Sequence, residues 1–218
     1  MILYDYILSP SCYKVRLLAS LLDAPLELRA VDFHPGREHK GPELLALNPA
    51  GSIPILVDDD LVLRESAAML TYVAARHGPD WLAVDDPIAV TQQQQWLAFS
   101  HRLTSALGGA RLVEMLHFEG DLAALQANGI AALRELELAL FARRLTGGVF
   151  LVGDTPSVSD IACFPYVALA PDGSVSLDSY PSIRIWMRAI RALPGFIEMP
   201  GIHRLHELAP DPFAEAST

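Results

Sequence analysis

The feature that most constrains the fold is a change of hydrophobic pattern near residue 78 of the 218-residue chain. Residues 2–7 alternate in polarity and are rich in aromatic and branched side chains, which is typical of a strand. Leucines between residues 17 and 22 then recur at helical spacing. Strand-like and helix-like patterns that alternate in this way up to residue 78 predict the order β-α-β-α-β-β-α. Residues 79–206 carry almost no strand pattern, so a helical part is expected to follow the mixed part.

The rest of the mixed part completes this order. A second strand is expected at 26–33, and a short helix closed by a turn within 41–52. Residues 53–66 predict two strands joined by the acidic run from Asp58 to Asp60. A helix from Ser66 to His77 follows.

Two long helices dominate the helical part. Apolar residues at helical steps predict one helix over 87–116, which Gly108 and Gly109 are expected to bend or loosen. A second long helix is expected over 122–145. Further helices are expected from Ser157, over 183–193 and near 201–208.

Glycine, proline and acidic residues cluster between the two parts, which is typical of a linker. We therefore expect a mixed domain at 1–78, a linker at 79–87 and an all-helical domain at 88–218. The predicted fold class is α+β with two domains.

Composition and charge argue against several kinds of partner. The formal net charge is -10, so the protein should repel phosphate backbones, and nucleic acid is not an expected partner. No apolar run reaches the roughly 18 to 20 residues of a membrane span. The start lacks the basic segment of a secretory signal. Two cysteines fit a reducing cytoplasm rather than a disulfide framework.

The stretch Ser9-Pro10-Ser11-Cys12 lies between the first strand and the first helix. Its spacing is that of a C-P-x-C redox motif whose first cysteine is a serine. A single thiol cannot cycle as a dithiol, so dithiol exchange is disfavoured. Elsewhere, a basic cluster spans residues 37–40, and it fits either a solvated loop or a site for a small anion.

Four motifs occur along the chain in this order: LSPSCYKVRLLASLL, ALNPAGSIPIL, RESAAMLTYVA and SVSDIA. With these motifs in register over nearly the whole chain, the sequence resembles the cytosolic glutathione transferase family. The resemblance implies a thioredoxin-like first domain followed by an all-helical domain. It also implies glutathione as co-substrate, no metal and a cytoplasmic homodimer.

The resemblance further implies which residues hold glutathione. Glu65 would hold the amino group of the γ-glutamyl end, and Ser66 with the helix amides its carboxylate, with plain helix capping as the alternative. Ile53 would precede a cis proline and pair its backbone with the ligand, whereas a proline that only begins a strand is the alternative. The implied glutathione-binding residues are His39, Lys40, Ile53, Pro54, Glu65 and Ser66.

Three residues of the first loop are candidate catalytic residues. Serine-type classes place the thiol-activating serine near the end of the first strand, which corresponds to Ser9. Ser11 is the alternative donor, or a helix cap. Cys12 is a candidate for a mixed disulfide with glutathione, or else a small buried residue. A hydroxyl donor and the positive end of the following helix would both favour a thiolate.

The helical part holds the remaining positions. An electrophile pocket is expected between the first domain and the long helix, and its residues would be Phe99, Leu103, Leu107 and Arg111. Ser157 and Asp160 have the spacing of a capping box, so Asp160 is expected to be structural rather than catalytic.

The function implied is conjugation of glutathione to small hydrophobic electrophiles. A glutathione-dependent isomerase, dehalogenase or reductase of peroxides or disulfides is one alternative. A non-catalytic glutathione-binding or scaffold protein is another, because a fold does not fix a function.

Overall fold

The computed structural model describes residues 1–201, which fold into two compact units. The first unit contains Met1–Leu82 and Pro194–Pro200. The second contains Ala83–Leu193 together with Gly201. No helix within these described residues is long and apolar enough to span a membrane.

A four-stranded sheet forms the centre of the first unit. Its strands are β1 (Ile2–Asp5), β2 (Glu27–Ala30), β3 (Ile55–Asp58) and β4 (Leu61–Leu63), in the spatial order β2-β1-β3-β4. β1 runs parallel to β2 and antiparallel to β3, which is antiparallel to β4. The second strand ends before residue 33, because Phe33 N–H turns back to the carbonyl of Val31 at 2.8 Å. The predicted order β-α-β-α-β-β-α is confirmed. The helices of this unit are α1 (Pro10–Leu21), α2 (Pro42–Leu47) and α3 (Ser66–His77).

One edge of this sheet collects the segments that carry the candidate residues. The register pairs Asp5 with Ala30, Tyr4 with Ile55 and Leu56 with Leu63. β1, β2 and β4 therefore end, and β3 begins, at the same edge, which we call the upper edge. Because α1 follows β1 and α3 follows β4, both helices begin there.

Side chains of β1 alternate between the two faces of the sheet. Tyr4 packs on one face against a cluster around Val31, Leu44 and Ile55. Asp5 lies on the other face, where it meets Arg16 of α1. This face therefore carries a buried charged pair beside the apolar Leu3.

The second unit is helical, as predicted. The long helix predicted over 87–116 divides at a π-helical turn, Thr104–Gly108, which ends within the glycine pair that was expected to loosen it. A Cβ on Gly108 would lie 2.6 Å from the ring of Tyr166, so glycine allows the close approach. The helices are α4 (Pro87–Leu103), α5 (Gly109–Leu116), α6 (Leu122–Leu145), α7 (Val158–Ala168) and α8 (Pro181–Arg191).

Asp160 is a buried residue of the second unit that binds several hydrogen-bond donors, and its predicted structural role in a capping box is confirmed. It forms a capping box with Ser157 at the start of α7. One carboxylate oxygen accepts from Leu151 N at 3.0 Å and from Trp186 Nε1 at 2.8 Å. The other accepts from Ser157 N at 2.9 Å and its Oγ at 3.0 Å. Burial raises the pKa of this carboxyl, and the four donors act in the opposite direction.

Residues 194–200 return to the first unit, although the sequence assigned them to a helical domain at 88–218. The hydroxyl of Tyr13 donates to Ile197 O at 2.5 Å, and Ser20 Oγ donates to Gly195 O at 2.7 Å. These bonds attach the segment to α1. The helix expected near 201–208, and the end of the predicted helical domain, lie outside the described residues.

Candidate functional site

The upper edge brings together residues that are far apart in the sequence. Each lies in a segment that leaves or enters a strand at this edge, and two of these segments lead into helix N-termini. Helix N-termini expose unsatisfied N–H groups and favour anions. The candidate residues near this edge are Ser9, Ser11, Ile53, Pro54, Glu65 and Ser66, with His39 and Lys40 in the segment after β2.

Ser9 is held at the start of α1 by a four-residue turn. Ser9 N–H donates to Tyr6 O at 2.8 Å, and Ser9 is the N-cap residue, with φ -85° and ψ 116°. Its Oγ accepts from Cys12 N at 3.3 Å. Accepting this bond uses a lone pair and leaves the hydroxyl proton available to donate. Ser11 lies in the first turn of α1 and is half-buried, like Ser9.

Cys12 is fully buried, with Sγ 3.9 Å from Tyr4 O. Burial raises the pKa of its thiol to about 12, more than hydrogen bonding from Ser9 lowers it. The thiol is therefore protonated at neutral pH and is a poor nucleophile. The structure favours the alternative for Cys12, a small buried residue. Cys163 is likewise buried, inside α7.

The basic cluster divides into a packed histidine and an exposed lysine. His39 is 8% exposed and stacks on Phe33, with ring centroids 4.3 Å apart. Burial, and then the charges of Lys40 and Arg37, lower the pKa of His39, so the imidazole is neutral at pH 7. Lys40 Nζ donates to Ala50 O at 3.3 Å. Lys40 is thus the stronger candidate for an anion contact.

Asn48 organises the loop before β3, a role that the sequence reading missed. It is buried, and Nδ2 donates to Ser52 O at 2.8 Å and to Ser52 Oγ at 3.0 Å, while Oδ1 accepts from Ala50 N at 3.2 Å. The Ile53-Pro54 bond that follows is cis, as the resemblance implied. The Asn-Pro pair marks a turn in the sequence, and this was the available signal.

Glu65 is the N-cap residue of α3, yet its side chain makes no capping hydrogen bond. Its carboxylate is exposed at the upper edge. Plain capping by the Glu65 side chain is therefore not what the structure shows. Ser66 is the first residue of the helix, beside its N-terminal amides.

A buried ion pair beneath the Ser9 turn was also missed. Arg16 Nε lies 3.1 Å from Asp5 Oδ1, and both side chains are less than a tenth exposed, at 7% and 8%. Arg16 Nη2 donates to Ile7 O at 3.0 Å. Strand alternation places Asp5 on the same face as Leu3, and Arg16 interrupts an apolar run, so the sequence did carry a weak signal.

The predicted electrophile positions lie in the second unit, and all four side chains are buried. Arg111 Nε pairs with Asp172 Oδ2 at 2.9 Å. An electrophile pocket formed by Phe99, Leu103, Leu107 and Arg111 stays a prediction. Within residues 1–201, no group of three or more His, Cys, Asp or Glu side chains is arranged to hold a metal ion.

The geometry of the first unit agrees with comparisons to known proteins. Residues 1–75 match the family described as "Glutathione S-transferase, N-terminal domain". A rice protein (Oryza sativa subsp. japonica), the probable glutathione S-transferase GSTF2, is 33% identical over 180 residues, which cover 78% of this chain and 82% of the rice protein. The chain belongs to the glutathione S-transferase family.

Two further proteins are similar to this glutathione S-transferase over more of its length. The maleylacetoacetate isomerase of Pseudomonas aeruginosa is 28% identical over 204 residues, covering 89% of this chain and 92% of that protein. The crystal structure of a glutathione S-transferase from Pseudomonas fluorescens has a TM-score of 0.82 and 30% identity, covering 91% of this chain and 98% of that one. The likeness therefore extends well beyond the first unit.

Proposed function

We propose that this glutathione S-transferase binds glutathione at the upper edge and conjugates its thiolate to small hydrophobic electrophiles. The observation that carries the proposal is the convergence at one sheet edge of two helix N-termini, a hydroxyl at Ser9 and a carboxylate at Glu65. A tripeptide with an anionic thiolate, two carboxylates and an ammonium fits such a set of groups.

Ser9 would act on the sulfur. Its hydroxyl proton can donate to the thiolate, and the N-terminus of the 12-residue helix α1 adds partial positive charge. Both effects lower the pKa of the glutathione thiol, which loses its proton to water. The thiolate then attacks an electrophilic carbon, a carbon–sulfur bond forms, and the leaving group departs with its electron pair.

The remaining groups would hold the ends of the tripeptide. Glu65 accepts from the γ-glutamyl ammonium, and Ser66 with the α3 amides donates to the neighbouring carboxylate. The backbone of Ile53 pairs with the cysteinyl residue as an added strand would. Lys40 binds the glycine carboxylate, while His39 stays stacked on Phe33.

The proposal is tested by calorimetry with glutathione and by conjugation of glutathione to a chloro-dinitrobenzene, followed by the absorbance of the product. We expect both binding and turnover. Absence of binding at millimolar glutathione would instead support a scaffold protein. Binding without conjugation of several electrophiles would support an isomerase, dehalogenase or reductase.

Glu65→Gln should raise the Kd for glutathione about tenfold or more, because it removes a charge-assisted hydrogen bond to the ligand ammonium. Calorimetry measures the change. Glu43→Gln is the matched control, since Glu43 is an exposed carboxylate in the first turn of α2. Equal Kd values for the two variants would argue against this orientation of glutathione.

A second candidate is the isomerisation of a cis-double-bonded diketo acid, because the similar Pseudomonas aeruginosa protein is a maleylacetoacetate isomerase. In that reaction the thiolate would add to the double bond and leave again after rotation, so glutathione is not consumed. Loss of maleylacetoacetate absorbance with unchanged total thiol would support it.

Assembly into a homodimer is a separate prediction, which light scattering of the purified protein tests.

A further inference from the structure

The side chain of Arg16 contacts the turn that carries Ser9 and the strand before it. β1 ends at Asp5 and α1 begins at Pro10, so residues 6–9 form the whole connection. Arg16 lies further along α1, and helical side chains lean back towards the N-terminus of their helix. Its guanidinium reaches both the last residue of β1 and, through Nη2, the carbonyl of Ile7 in the middle of the turn.

Each Arg16 contact links the helix that follows Ser9 to the segment that precedes it. Asp5 precedes the turn, Ile7 lies inside it, and Arg16 itself belongs to the helix that Ser9 caps. Nη2 donates a hydrogen bond to the Ile7 carbonyl, and Nε forms an ion pair with Asp5 at 3.1 Å, so the two contacts hold the turn against both strand and helix. Ser9 has little freedom to move without breaking one of them.

Stability alone is a weak explanation for this pair. The pKa of Asp5 is raised because its burial outweighs the opposing influence of the Arg16 charge. Buried ion pairs of this kind often contribute little to stability, because removing both charges from water costs about as much as their attraction returns. A geometric role accounts for the position of the pair under the Ser9 turn.

We propose that Arg16, held by Asp5, is a positioning residue that fixes the Ser9 hydroxyl against the glutathione sulfur. This inference rests on the proposed function. Reaction rates fall steeply when a catalytic group moves by as little as about 1 Å. Loss of the Arg16 contacts to Asp5 and Ile7, which we call the clamp, should therefore weaken the bond from Ser9 to the thiolate. The bound thiol would then ionise at higher pH.

The test is Arg16→Lys. Lysine keeps the positive charge but has one nitrogen, which cannot occupy the positions of both Nε and Nη2. We expect kcat/KM at neutral pH to fall about tenfold, and the apparent pKa of the bound thiol, from the pH profile of kcat/KM, to rise by about one unit. KM for the electrophile should stay unchanged.

Arg143→Lys is the matched control. Arg143 also bonds a loop carbonyl, Phe150 O at 3.1 Å, and pairs with a carboxylate, Asp154 at 3.2 Å, but it lies in the helical unit. We expect its pH profile to match that of the wild type. A normal pH profile for Arg16→Lys per folded molecule, even with a lowered Tm, would overturn the proposal.

Two measurements keep the inference independent of folding losses and of the proposed function. Asp5→Leu/Arg16→Met removes both charges, so its Tm should exceed that of Arg16→Met while its kcat/KM stays low; recovery of both would mean a purely structural role. Exchange of the Ser9 amide, which bonds Tyr6 O at 2.8 Å, should become faster in Arg16→Lys. Unchanged exchange would refute the clamp even in a protein that does not bind glutathione.

Discussion

Replacing Ser9 with glycine should lower kcat/KM for glutathione conjugation by about 10²- to 10³-fold, the usual loss when one donor to a developing or stabilised anion is removed. The apparent pKa of the bound thiol should rise, because the thiolate loses its hydroxyl donor. Glutathione should still bind, since its two ends are held by other groups. Steady-state kinetics over a pH series and calorimetry measure these effects.

Glycine is the informative replacement because it caps a helix almost as well as serine, within a few tenths of a kcal/mol. The capping hydrogen bond that Ser9 Oγ accepts from Cys12 N is long, at 3.3 Å, so the fold should persist without it. Ser11→Ala is the control from the first turn of the same helix. If Ser11→Ala carries the loss and Ser9→Gly does not, Ser11 is the donor to the sulfur.

Asp160→Asn should lower the free energy of unfolding by about 3 kcal/mol, the largest stability effect that we expect from a single substitution here. The carboxylate accepts two bonds at each oxygen. An asparagine offers one acceptor and one donor group, so its NH₂ must face two donors, either Leu151 with Trp186 or both groups of Ser157. Buried donors then lose their partners.

Urea unfolding followed by far-ultraviolet circular dichroism measures this loss. Asp178→Asn is the matched control, because Asp178 is an exposed aspartate of the same unit. Activity per folded molecule should be unchanged in Asp160→Asn at low temperature, since the residue acts on folding. Coincident unfolding curves for the two variants would contradict the central role of Asp160.

Local patterns predicted the elements and the positions of several candidate residues along them. The order of strands and helices, the cap at Asp160 and the break near Gly108 each depend on residues close together in the sequence, where periodicity and capping rules apply. The resemblance added the cis bond before Pro54 and the positions of Glu65 and Ser66. These parts required no knowledge of how distant segments meet.

Apart from the local hydrogen bonds of Asn48, the features that were missed join distant segments or depend on burial. Asp5 and Arg16 become partners only when a sheet face and a helix face meet. The burial that keeps the Cys12 thiol protonated, and that leaves His39 neutral, is a property of the packed unit. A helical stripe such as Phe99 and Leu103 has the same pattern whether it packs inside a domain or lines a pocket, so the electrophile cannot be named from it.

The return of residues 194–200 to the first unit makes that unit discontinuous in the gene. A fragment cut after Leu82 would contain the sheet and every residue proposed to touch glutathione, but would lack Ile197 and Gly195, the carbonyls to which Tyr13 and Ser20 donate. Swapping first units between relatives at a single junction would meet the same problem. Chimaeras of this family member therefore need residues 194–200 exchanged together with residues 1–82.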